Sequence, residues 1–362
     1  MQMSKNICFF NSSKTWGGGE KWHFDIALQL HQKNYNVSVI TNKKSEFFKK
    51  LESTNLNVKS ICISNLSFLN IFKILKLKNE FKKQKIETII LNLPSDLKIA
   101  GISAKLAGVQ NIIYRRGSAI PIKNSWLNRI FFKYLVTCVI ANSEETKKTI
   151  LQNNSNLISE AKIHVIYNGI NIEEFDKSES TEIYKKQYNE FIIGNLGRMV
   201  FQKNQTFLID VAQKLKEKNI QFKLLIAGIG ELENSLKTKT KELNLENEIV
   251  FTGFVKNPKT FMNSIDIFLL LSRWEGFGYV LLEAMLCKKP SIAFNLSSNP
   301  ELIENNKTGF LIKVNDIDEF VEKIIFLNQN RGIGTEFGEN ARFKAEKQFD
   351  IKQTIIKLEQ II

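Results

Sequence analysis

Glu275-Gly-Phe-Gly-Tyr-Val-Leu-Leu-Glu283 places two carboxylates around a glycine-rich turn, directly after the apolar run Ile265-Asp-Ile-Phe-Leu-Leu-Leu271. The apolar run reads as a buried strand and Tyr279 to Leu286 as a helix, so the glycines mark a handover from strand to helix. Amides at the start of a helix have no acceptor within it. They point outward, where they suit anionic or hydroxyl-rich ligands. A carboxylate on each side can accept hydrogen bonds from sugar hydroxyls. A nucleotide-sugar has the chemistry to fit such a site.

A second constellation supplies the charge that ligand would need. Phe191-Ile-Ile-Gly-Asn-Leu-Gly-Arg198 is a strand running into a loop, with Lys203 five residues beyond Arg198. A guanidinium fork and a compact ammonium beside one turn suit a diphosphate. If the diphosphate is the leaving group, cations that bind it more strongly as its charge develops lower the barrier. Near the N-terminus, Asn11-Ser-Ser-Lys-Thr-Trp-Gly17-Gly18-Gly19-Glu20 lies between a strand and a helix. Its glycines allow a close backbone approach and its helix offers N–H donors. The loop has no Gly-x-Gly-x-x-Gly spacing and no Lys-Ser/Thr after it, which disfavours dinucleotide and P-loop readings.

These loops need a scaffold, and the rest of the chain has the pattern for one. Strand-like runs at 5–10, 37–41, 88–93, 111–114, 136–141 and 163–166 alternate with helical patterns. A second series follows at 191–195, 222–227, 248–252, 265–271 and 290–293. Such alternation predicts an α/β protein of two Rossmann-like, doubly wound parallel-sheet domains, with ligands in a central cleft between the carboxyl edges of their strands. A chain of 362 residues is long enough for two cores. The boundary is expected in the polar stretch 171–189. This gives a domain at 1–185, a second at 186–337, and a helical segment at 338–362 that either packs back across the first domain or closes the second.

Composition narrows the class. With 43% hydrophobic and 24% charged residues the chain should be globular. No apolar run approaches the roughly 20 residues of a spanning helix, and 1–5 lead straight into a strand-like run, so neither a transmembrane segment nor a signal peptide is expected. Cys8, Cys62, Cys138 and Cys287 have no Cys-x-x-Cys spacing and fit a reducing cytoplasm, with no metal site. The net charge of +14 is uneven: residues 1–185 hold 27 Lys and Arg against 15 Asp and Glu. The first domain is therefore expected to face something anionic: a phosphorylated acceptor, an anionic membrane or nucleic acid. Nucleic acid is disfavoured, because no basic stripe with stacking aromatics forms a recognisable module. Residues 66–85 read as a basic amphipathic helix, which lies on an anionic membrane or serves as a crossover helix with a solvated face. The crossover reading is preferred. Trp126–Tyr134 is a second segment of this kind.

The chain resembles a retaining glycosyltransferase of family 4, with the two-domain GT-B architecture. The resemblance rests on Gly197-Arg198 with Lys203, Ile226-Ala-Gly-Ile-Gly230, Phe251-Thr-Gly-Phe254, and Ser272-Arg-Trp-Glu275-Gly-Phe-Gly with Glu283. Asn299-Pro-Glu301 and Gly309-Phe-Leu continue it, so that it covers most of 190–320. In the first half it rests on the glycine loop, Asn142-Ser-Glu144 and Ile166-Tyr-Asn168-Gly169-Ile170. It implies that Arg198 and Lys203 bind the donor diphosphate and that Glu275 contacts the donor sugar. Backbone amides of Gly276, Phe277 and Gly278 would hold the sugar hydroxyls, and Glu283 the ribose. Gly17 and Gly18 would close over the phosphates, with Phe254 and Val255 bordering the base. The family often carries a histidine after an early strand. Here Arg116 stands in that place, and an arginine is no base at neutral pH. Asp96 and His23 are the acceptor-side candidates.

The resemblance further implies a metal-independent enzyme with no cofactor, since the nucleotide-sugar, a UDP-sugar for preference, is a substrate. Asp316-Ile-Asp318 echoes a metal-binding string of another fold, but it precedes a helical pattern and is better explained as a cap. The expected acceptor is an anionic or lipid-linked glycan of lipopolysaccharide, capsule or glycolipid assembly. The expected location is the cytoplasm, with peripheral association at the inner face of the membrane. Two other functions share the architecture: a nucleotide-sugar 2-epimerase, and a non-catalytic donor-binding subunit. The first calls for more titratable groups than a chain with three histidines offers, and the intact Glu275 argues against the second.

Overall fold

The computed structural model describes residues 5–362, which divide into two compact units, 5–169 with Ile351–Ile362, and Ile170–Asp350. In the first unit seven strands run parallel: β1 (Asn6–Asn11), β2 (Asn36–Thr41), β3 (Asn57–Ser60), β4 (Thr88–Leu91), β5 (Asn111–Arg116), β6 (Cys138–Ala141) and β7 (Ile163–Val165). Their order is β3-β2-β1-β4-β5-β6-β7. The second unit holds six parallel strands: β8 (Ile192–Leu196), β9 (Lys223–Ala227), β10 (Ile249–Gly253), β11 (Ile267–Leu270), β12 (Ser291–Phe294) and β13 (Gly309–Ile312). Their order is β10-β9-β8-β11-β12-β13.

Each sheet is wound outward in both directions from its first strand. The order reverses at β1/β4 and at β8/β11, so the helices that follow these neighbours leave on opposite faces. A crevice remains at their carboxyl ends, and ligands of such sheets bind there. The strands are apolar on both faces because both are covered. In β1, Cys8 and Phe10 join the core on one face, while Ile7 and Phe9 join Trp22, Ile26 and Leu30 of the helix Gly18–Gln32 on the other. The second unit packs Ile193, Ile226, Leu269 and Ile292 of its central strands against Leu208, Ile209 and Ala212 of the helix Gln205–Glu217.

The unit boundaries differ from the sequence expectation of 185/186 and 337/338. Residues 170–185 belong to the second unit despite their polar composition, because side chains of that unit hold them. The Ile170 amide donates to the Phe349 carbonyl at 3.1 Å, and Lys259 Nζ donates to the carbonyls of Phe175, Asp176 and Ser178. Arg342 grips the Asp176 carboxylate with two nitrogens at 2.9 and 2.6 Å. Gly338, read as the start of the last segment, lies instead inside the helix Arg331–Gln348. Only Ile351–Ile362 joins the first unit. There Ile351, Ile355 and Leu358 enter the core beside Trp22, and Gly169 packs against the Ile351 backbone.

Two strands, β3 and β13, are not foreseen by apolar patterning. Both sit at sheet edges, and Asn57-Val-Lys-Ser shows no apolar run. The segment 66–85 is broken: a 3-10 turn, Ser67–Leu69, precedes the helix Ile71–Lys83, whose start is capped by Asn70 accepting from the Lys73 amide. Ile74, Leu77 and Phe81 bury one face of that helix in the first core. No helix among the described residues is long and apolar enough to cross a membrane.

Gly338 and Gly332 of one helix separate packing from propensity. A Cβ at Gly338 would lie 2.1 Å from the Lys288 carbonyl oxygen, whereas at Gly332 nothing lies within 4 Å. Alanine gains at most about 1 kcal/mol in helix propensity at either site, and overpacking against fixed backbone costs about 1–3 kcal/mol. Gly338→Ala is therefore expected to lower the melting temperature while Gly332→Ala leaves it unchanged or raises it. Equal shifts in a calorimetric scan would show that the close approach is not what holds Gly338.

Candidate active site

In the second unit the site grows from two loops at the β8/β11 reversal. After β8 the chain passes through Gly197 and Arg198, makes a 3-10 turn at Phe201–Lys203, and enters the helix Gln205–Glu217 through Asn204 in a left-handed conformation. After β11 it runs through Ser272–Gly278 into the helix Tyr279–Leu286. The loops are stitched together. The Arg273 amide donates to the Gln202 carbonyl at 2.8 Å, Gln202 Nε2 to the Trp274 carbonyl at 2.9 Å, and the Arg273 guanidinium to Asn204 Oδ1 at 3.0 Å. That guanidinium also lies 4.4 Å from the Phe201 ring centre.

This stitching brings Lys203 Nζ to 2.5 Å from Glu275 Oε1. Lys203 is half-buried and Glu275 buried, so the pair is screened less than a surface ion pair. Arg198 is exposed beside it in sequence, and its carbonyl accepts from Gln205 Nε2 at 2.9 Å. The Gly197–Met199 backbone is clamped from β9: a Cβ at Gly228 would sit 1.9 Å from the Gly197 oxygen, and one at Gly230 2.3 Å from the Met199 oxygen. Gly228 has a φ of +132°, which L side chains avoid. Ile226-Ala-Gly-Ile-Gly230 thus supplies the floor under the Arg198 loop.

Gly278, with φ +79°, turns the chain into the helix Tyr279–Leu286, whose first turn has no side-chain cap. Its leading amides are the donors the sequence suggested. Phe277 is buried against the rings of Tyr279 and Phe349, which fixes the turn from behind. Gly276 is half-buried in front of it, and Glu283 is buried one turn into the helix. Phe254 stands 71% exposed just after β10, with Val255 half-buried beside it. Ser272 Oγ, Asn195 Oδ1, Ser298 Oγ and Asn299 Oδ1 are buried with no partner in the protein, so polar capacity is left at the carboxyl ends of β8, β11 and β12. Asp316 caps the helix Ile317–Gln329 by accepting from the Glu319 amide, and Asp318 pairs with Lys214.

A groove of about 640 Å³ elsewhere on this unit is lined by Asp176, Lys259, Cys287 and Arg342 among others. Its strongest charges already serve the 170–178 segment, as described above. It is not where the candidate residues gather.

In the first unit the crevice at β1/β4 is built around a buried arginine. Arg115 is 1% exposed, donates to Asn92 Oδ1 at 3.2 Å and Asn168 Oδ1 at 3.0 Å, and stacks 4.6 Å from the Trp22 ring centre. Asn92 in turn donates to Glu20 Oε1, which also accepts from Asn11 at 3.2 Å. One network thus ties the ends of β1, β4 and β5 to the first turn of the helix Gly18–Gln32. Gly17 precedes that helix in extended backbone and provides no side-chain cap; Gly18 begins it. Gly19 fits against Asn92, where a Cβ would lie 2.9 Å from Nδ2. Sequence reasoning passed over Arg115 for its neighbour; alternation along β5, which turns Arg115 and Arg116 to opposite faces, is the signal that distinguishes them. Arg116 is half-buried and donates to the Ile120 carbonyl at 2.7 Å.

Two acceptor-side candidates are corrected. His23 is fully buried, edge-on to Phe9 and Phe47 and 5.4 Å from the Trp22 ring centre, and it is a core residue. Burial, with Arg115 second, pushes its pKa well below the usual imidazole value. Asp96 is also fully buried. It accepts from Ser12 Oγ at 2.5 Å, the Ser12 amide at 3.4 Å and the Leu93 amide at 2.9 Å, and so fixes the loop after β4. Burial raises its pKa to about 7, against the lowering effect of these hydrogen bonds. Glu20 adds a smaller upward push.

The sequence matches the model described as "Glycosyl transferases group 1" over residues 176–344 and that of "Glycosyltransferase Family 4" over 16–174. It is 27% identical over 355 residues to the Escherichia coli UDP-Gal:alpha-D-GlcNAc-diphosphoundecaprenol alpha-1,3-galactosyltransferase, covering 93% of this chain and 88% of the relative. It is 29% identical over 337 residues to the Staphylococcus aureus capsular polysaccharide biosynthesis glycosyltransferase CapM, covering 88% and 87%. Among solved structures, Anabaena HepE in complex with UDP-glucose superposes with a TM-score of 0.82 at 23% identity, covering 98% of both chains.

The raised pKa of Asp96 has a direction in stability. The native carboxyl keeps its proton up to about pH 7 while the unfolded chain loses it near 3.8, so its contribution is full below the lower value and is lost as pH rises through the higher one. Asp96→Asn, which keeps the shape without the charge, is expected to gain melting temperature relative to the parent as pH rises from about 4 to about 7. Parallel curves across that window would show that the buried carboxyl does not titrate there.

Proposed function

The chain belongs to glycosyltransferase family 4 and has the GT-B fold, and we propose that it moves a sugar from a UDP-sugar to a hydroxyl of a glycan or lipid-linked acceptor with retention at the anomeric carbon. The observation that carries this is the joining of Lys203 to Glu275 across the β8 and β11 loops. It joins an ammonium and a buried carboxylate from two separate loops, which supports reading them as the phosphate and sugar ends of one donor site. Arg198 and Lys203 bind the diphosphate and draw off its charge as the anomeric C–O bond breaks. Glu275, held by Lys203, contacts the donor sugar, whose hydroxyls accept from the amides at Gly276, Phe277 and Gly278. Glu283 takes the ribose hydroxyls, and Phe254 and Val255 border the base.

The new bond forms from the acceptor oxygen to the anomeric carbon, and the acceptor proton passes to the leaving diphosphate. Neither His23, which is buried, nor Arg116, whose guanidinium offers donors and no acceptor atom, serves as a base in this scheme. Arg116 instead receives an anionic group of the donor sugar or acceptor. The charge for the leaving group comes from Arg198 and Lys203, and the scheme calls for no metal or cofactor. The two curated relatives named above act in lipid-linked and capsular glycan assembly, which supports a cell-envelope acceptor and work at the inner face of the cytoplasmic membrane.

Charge-assisted hydrogen bonds contribute about 1.5–3 kcal/mol each. Arg198→Ala and Lys203→Ala are therefore expected to weaken UDP binding by roughly 10- to 100-fold, and Glu283→Ala to weaken UDP-sugars while sparing diphosphate alone. Glu275→Gln should lower turnover more than donor affinity. Calorimetric titration across UDP-, GDP- and ADP-sugars checks this; unaltered donor affinity in Glu283→Ala sinks the ribose assignment. The anomeric configuration of the product, read by NMR, decides retention.

A further inference from the structure

We infer that the first unit carries a bilayer-docking face, formed by the 3-10 turn Ser67–Leu69, the start of the helix Ile71–Lys83 and the helix Trp126–Tyr134, that inserts apolar side chains among anionic lipids. The two segments are neighbours in space. The Phe68 and Phe131 rings meet at 6.3 Å, edge to face, and both segments pack against the π-helical turn Leu97–Gly101. What they turn outward is a concentration of large apolar side chains. Leu66 is 68% exposed, Leu69 70% and Phe72 80%, and Trp126 67%; Ile130 and Tyr134 are exposed beside it. Large apolar side chains occur singly on most soluble surfaces, but a cluster of this size marks an interaction site.

The spacing gives each helix one outward stripe. Trp126, Arg129, Ile130, Lys133 and Tyr134 recur at helical intervals and are all exposed, while Phe131 and Phe132 are buried. Ile71, Phe72, Leu75 and Lys76 likewise share the face opposite Ile74 and Leu77. Aromatic and branched side chains mixed with Lys and Arg suit the boundary between headgroups and acyl chains.

Charge identifies the occupant. No acidic residue lies between Glu52 and Glu80, nor between Asp96 and Glu144, where there are seven Lys and Arg. Among the described residues, no ion pair holds Lys76, Lys123, Arg129 or Lys133. Two self-complementary copies would bring these cations together, which costs energy, whereas anionic lipid neutralises them. The inference deepens the acceptor reading above, since a lipid-linked acceptor is met at a bilayer, and it rests on that reading for its purpose alone.

The test uses the full chain and vesicles that contain no acceptor. Sedimentation with vesicles of roughly 3:1 phosphatidylcholine to phosphatidylglycerol should carry the protein down, and pure phosphatidylcholine should not. Phe72→Ser with Trp126→Ser, and separately Lys76→Gln with Arg129→Gln and Lys133→Gln, should each reduce partitioning by roughly tenfold or more. Because these residues are exposed, both variants should keep the parent's melting temperature and its affinity for UDP. Binding that survives both variants, or absence of binding to anionic vesicles, overturns the proposal. A dimer in sedimentation velocity that Phe72→Ser with Trp126→Ser dissolves, without vesicle binding, assigns the face to a second copy instead. Loss of donor binding with vesicle binding intact would defeat the transferase reading and leave this one standing.

Discussion

Parallel strands cannot be joined by a tight turn, and each must be followed by a crossover that brings the chain back to start the next. In both units this crossover takes opposite faces on either side of the first strand, and the chain leaves a crevice where it changes direction. Everything of chemical interest follows from that constraint. The glycine loop leaves β1 and the Asn92–Asp96 loop leaves β4; the Arg198 loop leaves β8 and the Glu275 turn leaves β11. Residues more than seventy positions apart meet because two neighbouring strands end side by side. The crevice only brings the loops near each other, however, and each unit adds its own device to fix them.

The devices differ in a way that suits different ligands. In the first unit Arg115 is spent inside the protein. Its guanidinium, between two asparagines and an indole face, orients Asn92 and through it Glu20, so the start of the glycine helix is fixed before any ligand arrives. In the second unit the linking group is at the surface of the site: Lys203 holds Glu275 yet remains partly open to solvent. An ammonium has three donors, and one of them to a carboxylate leaves others for phosphate. In the proposed transferase the same ion pair positions the sugar-side carboxylate and presents charge to the leaving group. Close glycine packing at Gly228 and Gly230 makes the loop beneath it stiff, which lowers the cost of ordering it on binding.

The central strands and the loops that gather at the β8/β11 reversal were legible because their signals are local. Apolar runs covered on both faces, and glycines between a strand and a helix, depend on a few consecutive residues; the helix Tyr279–Leu286 lies where its pattern placed it. Of the edge strands, β7 and β10 were legible and β3 and β13 were not; β3 is half-solvated and lacks the run that marks β4. The boundary was misplaced because composition describes a segment without its partners: 171–185 is polar, yet Lys259, Arg342 and Ser264 reach it from across the unit. His23 and Asp96 failed for a related reason. Each stands within a few residues of a site loop, and whether such a side chain turns outward or inward is decided by the far side of the fold. Arg115 and Arg116 make the point most sharply, since adjacent identical residues are divided by strand alternation into a buried strut and a half-buried surface cation.

Bulk charge can be reconsidered in the same light. An excess of twelve positive charges in residues 1–185 says only that something anionic is attractive, and it distributes no charge in space. Placement does. Arg115 lies buried among Asn92, Asn168 and Trp22, away from the surface a ligand meets, and Lys59 is tied to Glu80. The cations left without carboxylates concentrate in the acid-free segments that also expose Leu69, Phe72 and Trp126. A free anionic sugar could satisfy those charges, but it would give no reason to keep large apolar groups in water beside them. A partner that is anionic at its surface and apolar beneath accounts for both features with one contact, and on that ground the proposed occupant is a bilayer and not a soluble polyanion.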